Sequence, residues 1–103
     1  MKYVYLSQSL ENGYYKIGVS KHPQKRLSEN QTGNPSPTKL IETYKTEHAN
    51  KVEKIMQRRY SQSKKEGEWF DLSIEIEIKF KTECQKIEEI LIQLIESGNA
   101  FIK

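Results

Sequence analysis

The sequence predicts an α+β fold: a three-stranded antiparallel sheet flanked by helices in the order β-β-α-β-α, then a long C-terminal helix. Three observations predict it. Two aromatic and β-branched runs, Tyr3-Val4-Tyr5-Leu6 and Tyr14-Tyr15-Lys16-Ile17-Gly18-Val19, flank the turn-forming pair Asn12-Gly13. Two later stretches repeat apolar residues at helical spacing. Finally, 103 residues suffice for one core only, because a chain this short buries roughly 60–68% of its unfolded surface.

The elements follow in order. The first two runs form a hairpin. Pro23 suits the first turn of a helix that Gln24 to Gln31 continue. Thr32-Gly33-Asn34-Pro35-Ser36-Pro37 is turn chemistry and ends it. Lys39-Leu40-Ile41-Glu42-Thr43-Tyr44 reads as the third strand. Ala49, Val52, Met56 and Tyr60 predict a helix over about 48–62. Gly67 breaks the chain, and Trp69-Phe70-Asp71-Leu72 closes the module as a short apolar segment. Ile74, Ile76, Ile78 and Phe80 alternate like a strand. Ile76, Phe80, Cys84, Ile87, Leu91 and Leu94, however, hold a helical stripe for more than five turns, and the longer pattern wins. Ser73 is a good N-cap and Gly98 a good C-terminal stop, so a helix is expected over 74–97. The division is a module over 1–72 and a helical extension over 73–103 packed on the same domain.

Composition excludes several classes. Ten aromatic residues, 35% hydrophobic content and a net charge of +3 fit a folded domain rather than a disordered chain. No apolar run approaches the ~20 residues of a membrane helix, and Met1 to Ser7 is too short for a signal peptide. The single Cys84 excludes an internal disulfide. A soluble cytoplasmic protein is expected. The charge is divided: residues 1–65 hold 13 Lys/Arg against 5 Asp/Glu, net +8, and residues 66–103 hold 4 against 9, net −5. Such a basic segment suits phosphates, with the acidic remainder facing away from them.

Cys84 sits on an apolar stripe, where a packed thiol is the ordinary reading. His22 and His48 have no metal-pair spacing, and the five Gly form no phosphate loop. Chemistry by Glu, Arg, Tyr and Lys is what remains. Either a two-residue turn at Asn12-Gly13, or a longer loop setting Tyr5 opposite Lys16, projects Tyr5 and Lys16 from the same side of the hairpin. Gly18 on that side leaves a gap beside Tyr3 for a close backbone or ligand approach, while the other side is core.

Tyr3-Val4-Tyr5, Lys16-Ile17-Gly18, Arg26 on the next helix and Glu53 on a later one resemble the GIY-YIG nuclease superfamily. Lys16-Ile17-Gly18-Val19-Ser20, Gln31-Thr32-Gly33-Asn34-Pro35 and Gly67-Glu68-Trp69-Phe70 are similar to its small branch in phage and fungal meiotic proteins, over residues 2–72. The resemblance implies divalent-metal-dependent hydrolysis of a phosphodiester in double-stranded DNA. Glu53 then matches the carboxylate holding one Mg²⁺ or Mn²⁺. Tyr5 matches the tyrosine beside the attacking water, a candidate general base. Arg26 matches the arginine that steadies charge on the scissile phosphate, and Lys16 stands at the second-motif tyrosine. Asn30 and Gln57 stand where the family often carries titratable side chains. The second reading is therefore a catalytically weak or inactive GIY-YIG-fold module that binds nucleic acid or protein. Lys51, Lys54 and Arg58 form a basic stripe suited to DNA. Ile74, Ile78 and Ile92 fall on the far side of the last helix, and a homodimer built there is expected.

Overall fold

Strand β1 (Lys2–Ser9) is the middle of everything else. The computed structural model describes residues 1–32, 37–65 and 67–98, so the turn expected over Thr32 to Pro37 lies mostly outside the described residues, as does the side chain of Asn30. On one side β1 pairs antiparallel with β2 (Tyr15–Ser20), and on the other with β3 (Thr38–Thr46). Between β2 and β3 the chain crosses β1 through helix α1 (Pro23–Thr32). Helix α2 (Ala49–Arg59) follows and stops short of the expected residue 62; Ser61–Ser63 is a separate 3₁₀ turn.

The sheet has four strands, not three. Its order is β3-β1-β2-β4, where β4 is Trp69–Phe70, paired antiparallel to β2 with Tyr15 opposite Phe70 and Lys16 opposite Trp69. Two residues show no alternation to read, so only the backbone pairing identifies them as a strand. The hairpin register is neither of the two expected. Asn12 has no positive φ, and only Gly13 does (φ +79°), so the two-residue turn that needs both does not form. A longer loop closes instead through Gly13 N–H to Ser9 O (2.9 Å), with Asn12 Oδ1 accepting from Tyr14 N–H (3.0 Å). Tyr5 lies opposite Gly18, and Lys16 opposite Ser7. Parity is unchanged, so Tyr5, Lys16 and Gly18 do share a face.

Both faces are covered. Val4, Leu6, Tyr15 and Ile17 point to one side, where Ala49, Val52 and Met56 of α2 meet Ile76, Phe80, Cys84, Ile87 and Leu91 of α3 (Glu75–Glu96) in a single cluster. Three phenols fasten α3: Tyr15 donates to Glu77 (2.5 Å), Tyr44 to Glu88 (2.7 Å) and Tyr60 to Glu83 (2.5 Å). The N-cap of α3 is Ile74 rather than the expected Ser73, whose Oγ accepts the Glu75 N–H at 3.3 Å from just outside the helix; Gly98 (φ +78°) ends the helix as expected. On the other face, α1 lies over Tyr3, Leu40 and Thr43 and buries Leu27. The side carrying Tyr5 is therefore not an open surface: Tyr5 itself is only 4% exposed. Among the described residues no helix is long and apolar enough to cross a membrane.

Candidate functional site

β4 pairs with only the first two residues of β2, so the outer edge of β2 is open from Ile17 onward. Side chains from both layers meet at that edge. Gln57 on α2 donates from Nε2 to the Ile17 carbonyl (3.0 Å) and so caps a ladder acceptor that β4 is too short to reach. The position where the family often carries a titratable group thus has a structural task. One turn back along α2, Glu53 sits half-buried beside the same edge. Val52 and Met56 on either side are fully buried, so the core fixes the helix phase that places it.

Lys16 shares the face of Tyr5, and its Nζ is 2.9 Å from an Oε of Glu68 in the turn before β4. That ion pair and the nearby charges of Arg26 and Lys64 hold the Glu68 carboxyl below the usual carboxylate range. Glu53 moves the opposite way. Burial raises its pKa first and the charge of Glu68 adds to this, against opposition from Lys54, Lys16 and Lys2. Glu53, Glu68, Lys16 and Arg26 therefore lie within one electrostatic neighbourhood. Tyr5 is the fourth expected residue. Its ring packs on Gly18: a Cβ there would lie 2.5 Å from the Tyr5 hydroxyl. The gap expected at Gly18 beside Tyr3 does not exist: the register sets Tyr5 opposite Gly18, and its ring fills the space.

The T5orf172 domain model matches residues 2–93. The chain belongs to the T5orf172 family. No curated protein and no solved structure matches it. The match runs to Gln93, well into α3, beyond the residues 2–72 that carry the resemblance.

In this T5orf172 domain the basic stripe divides. Lys54 and Arg58 line a cleft of about 470 Å³ together with Lys64, Glu68 and Gln57. Lys51 instead lines a different cleft at the other end of α2. Glu68 and Lys64 are site residues that sequence reasoning misses, although Gly67-Glu68-Trp69-Phe70 marks the segment; a residue beside a two-residue strand carries no periodicity to place it. Cys84 is fully buried, and burial pushes its thiol up to about 12, so it is the packed, unreactive residue that the stripe suggests.

Among the described residues no three His, Cys, Asp or Glu side chains converge. Glu53 and Glu68 are two carboxylates at this edge whose charges act on each other, Glu68 being ion-paired to Lys16. Mg²⁺ is commonly held by one or two carboxylates, with water and substrate phosphate completing the shell, and the donors at this edge fit that pattern.

Proposed function

We propose that this T5orf172 domain is a divalent-metal-dependent DNA endonuclease of the GIY-YIG superfamily. The observation that carries the reading is Glu53: a half-buried carboxylate set among Lys2, Lys16 and Lys54, in a neighbourhood otherwise suited to phosphate. A carboxylate facing a phosphate repels it unless a cation intervenes. Glu53 would hold the Mg²⁺ or Mn²⁺, with Glu68 beside it. The bound ion supplies Lewis-acid stabilisation of charge on the scissile phosphate.

The protein's own groups do the rest. Arg26, exposed at the N-terminal half of α1, offers a guanidinium fork to the phosphate oxygens as negative charge grows on them. Lys16 carries a positive charge that Glu68 holds in a fixed direction. Tyr5 places a phenol over Gly18, one pleat from Lys16, where it can orient the nucleophilic water or take its proton.

One observation favours a second reading, a nucleic-acid-binding module without turnover: Tyr5 is nearly closed off from solvent. Supercoiled plasmid with Mg²⁺ or Mn²⁺ decides between them. Nicking or linearisation that chelator abolishes, and that Glu53→Ala lowers on the order of 10²–10³-fold or more while binding persists, is the expected result. Cutting at undiminished rate by Glu53→Ala would falsify the assignment.

A further inference from the structure

Glu53 has cations on both sides of it. Lys54, Arg58 and Lys64 line the cleft toward β4. At the opposite end of α2 a second cleft of about 430 Å³ is lined by Lys2 from β1, Lys21 after β2 and Lys51, with Glu47 as its one carboxylate among the described residues. Three lysines from three separate parts of the chain line it, and none has an ion-pair partner among the described residues. Glu53 lies on α2 between Lys51 of this cleft and Lys54 and Arg58 of the other, and the charges of Lys2 and Lys54, one from each cleft, both act on it. From Lys51 to Arg58 is about 10 Å at 1.5 Å per residue, or roughly three phosphates at the axial spacing of one strand.

We propose that the cleft of Lys2, Lys21 and Lys51 is a second backbone-binding site, which holds the phosphates of the cut strand on the side of Glu53 away from Lys54, Arg58 and Lys64. The assignment rests on the nucleic-acid reading above and adds the path of the strand, along α2 and past Glu53. It also divides the footprint into two grips of about equal charge. Phosphate grips of this kind position the duplex and carry no base information, so binding is weakly selective in sequence.

The test measures duplex binding by fluorescence anisotropy in EDTA, where no cleavage occurs, across a salt series. Lys2→Ala/Lys21→Ala/Lys51→Ala should flatten the slope of log affinity against log salt by about 2 to 3, at roughly 0.9 for each phosphate no longer neutralised. Lys21→Ala alone should flatten it by about 1, and needs no change within an element. Lys79→Ala/Lys81→Ala/Lys86→Ala on α3 removes the same charge elsewhere and should leave the slope near that of the parent. A cleft triple variant that keeps the parent slope, with an unchanged circular dichroism spectrum, overturns the second site and leaves the endonuclease reading standing. Equal flattening by the α3 triple variant also overturns it, since net charge alone would then account for the effect. A parent that shows no salt-dependent binding overturns both readings together.

Discussion

Tyr5 and Gly18 are legible separately in the sequence, but their relation is not. An alternating strand places Tyr5 on one face, and a glycine among β-branched residues marks a close approach. Only the register shows that what approaches is the Tyr5 ring, because Tyr5 stands directly opposite Gly18. An added Cβ would lie 2.5 Å from Cζ and the hydroxyl and 2.8 Å from Cε2, far inside van der Waals distance. Gly18→Ala should therefore push the ring from its seat and destabilise the domain by about 1–3 kcal/mol, the range of overpacked cores. Tyr5→Phe keeps the ring and loses only the hydroxyl, so it should cut the rate with little effect on DNA affinity. The two sites should couple: adding Tyr5→Ala to Gly18→Ala removes the clash, and the double variant should be more stable than the sum of the single losses by about 0.5 kcal/mol or more. Chemical denaturation of the four proteins measures this. Additive losses would show that the ring does not depend on the glycine.

Helix α3 is the element whose docking chemistry has the clearest signature. Its apolar stripe and its terminal glycine are readable in the sequence, and the helix lies within a residue of its expected limits at each end, though Ile74 rather than Ser73 stands at its N-cap. The three tyrosines that fasten it are not, because a phenol at residue 15, 44 or 60 reveals nothing about a carboxylate many residues later. Their hydrogen bonds leave a trace in alkali. Burial and then the paired glutamate raise Tyr15 to about 12, and the same causes raise Tyr44 and Tyr60 well above the ordinary tyrosine value. A raised folded-state pKa means the folded protein holds protons that the unfolded chain releases. The stabilisation is therefore complete below about pH 10 and declines as pH climbs toward 12. Buried Cys84 acts with the same sign from about pH 9 upward. Thermal midpoints should stay level to about pH 9 and then fall. Three of the six tyrosines should ionise late and together with unfolding, which tyrosinate absorbance follows. A midpoint that is flat from pH 9 to 11 would show that α3 is not held by these phenols. Strand β4 escapes the sequence for a similar physical reason: strand pairing is non-local, and two residues are too few to show a pattern.

At the scale of the whole molecule, layers cover both faces of the sheet, yet one apolar surface stays uncovered. Ile74 and Ile78 are 72% and 86% exposed, and Ile92 is exposed as well. At 100° per residue these three fall within about 40° of one another, on the side of α3 turned away from the core. The stripe between them reads Lys81, Gln85 and Glu89, and it is self-complementary when reversed. Two copies laid antiparallel about Gln85 would set Ile78 against the partner's Ile92 and Lys81 against the partner's Glu89, which is the isologous geometry of a twofold dimer. Such a pairing rests on two isoleucine contacts with polar residues between them, few for a stable interface. Lys81 would also keep or exchange its 3.4 Å ion pair with Glu42. The expected dimer is accordingly weak, monomeric at low micromolar concentration and associating in the high micromolar range. Sedimentation equilibrium should detect it, and Ile78→Glu with Ile92→Glu should abolish it without lowering the thermal midpoint, because neither side chain belongs to the core. Glu89→Lys alone should weaken it by setting like charges opposite Lys81, and Lys81→Glu added to that variant should restore it. Sedimentation as a monomer throughout the high micromolar range would leave these isoleucines as ordinary exposed surface.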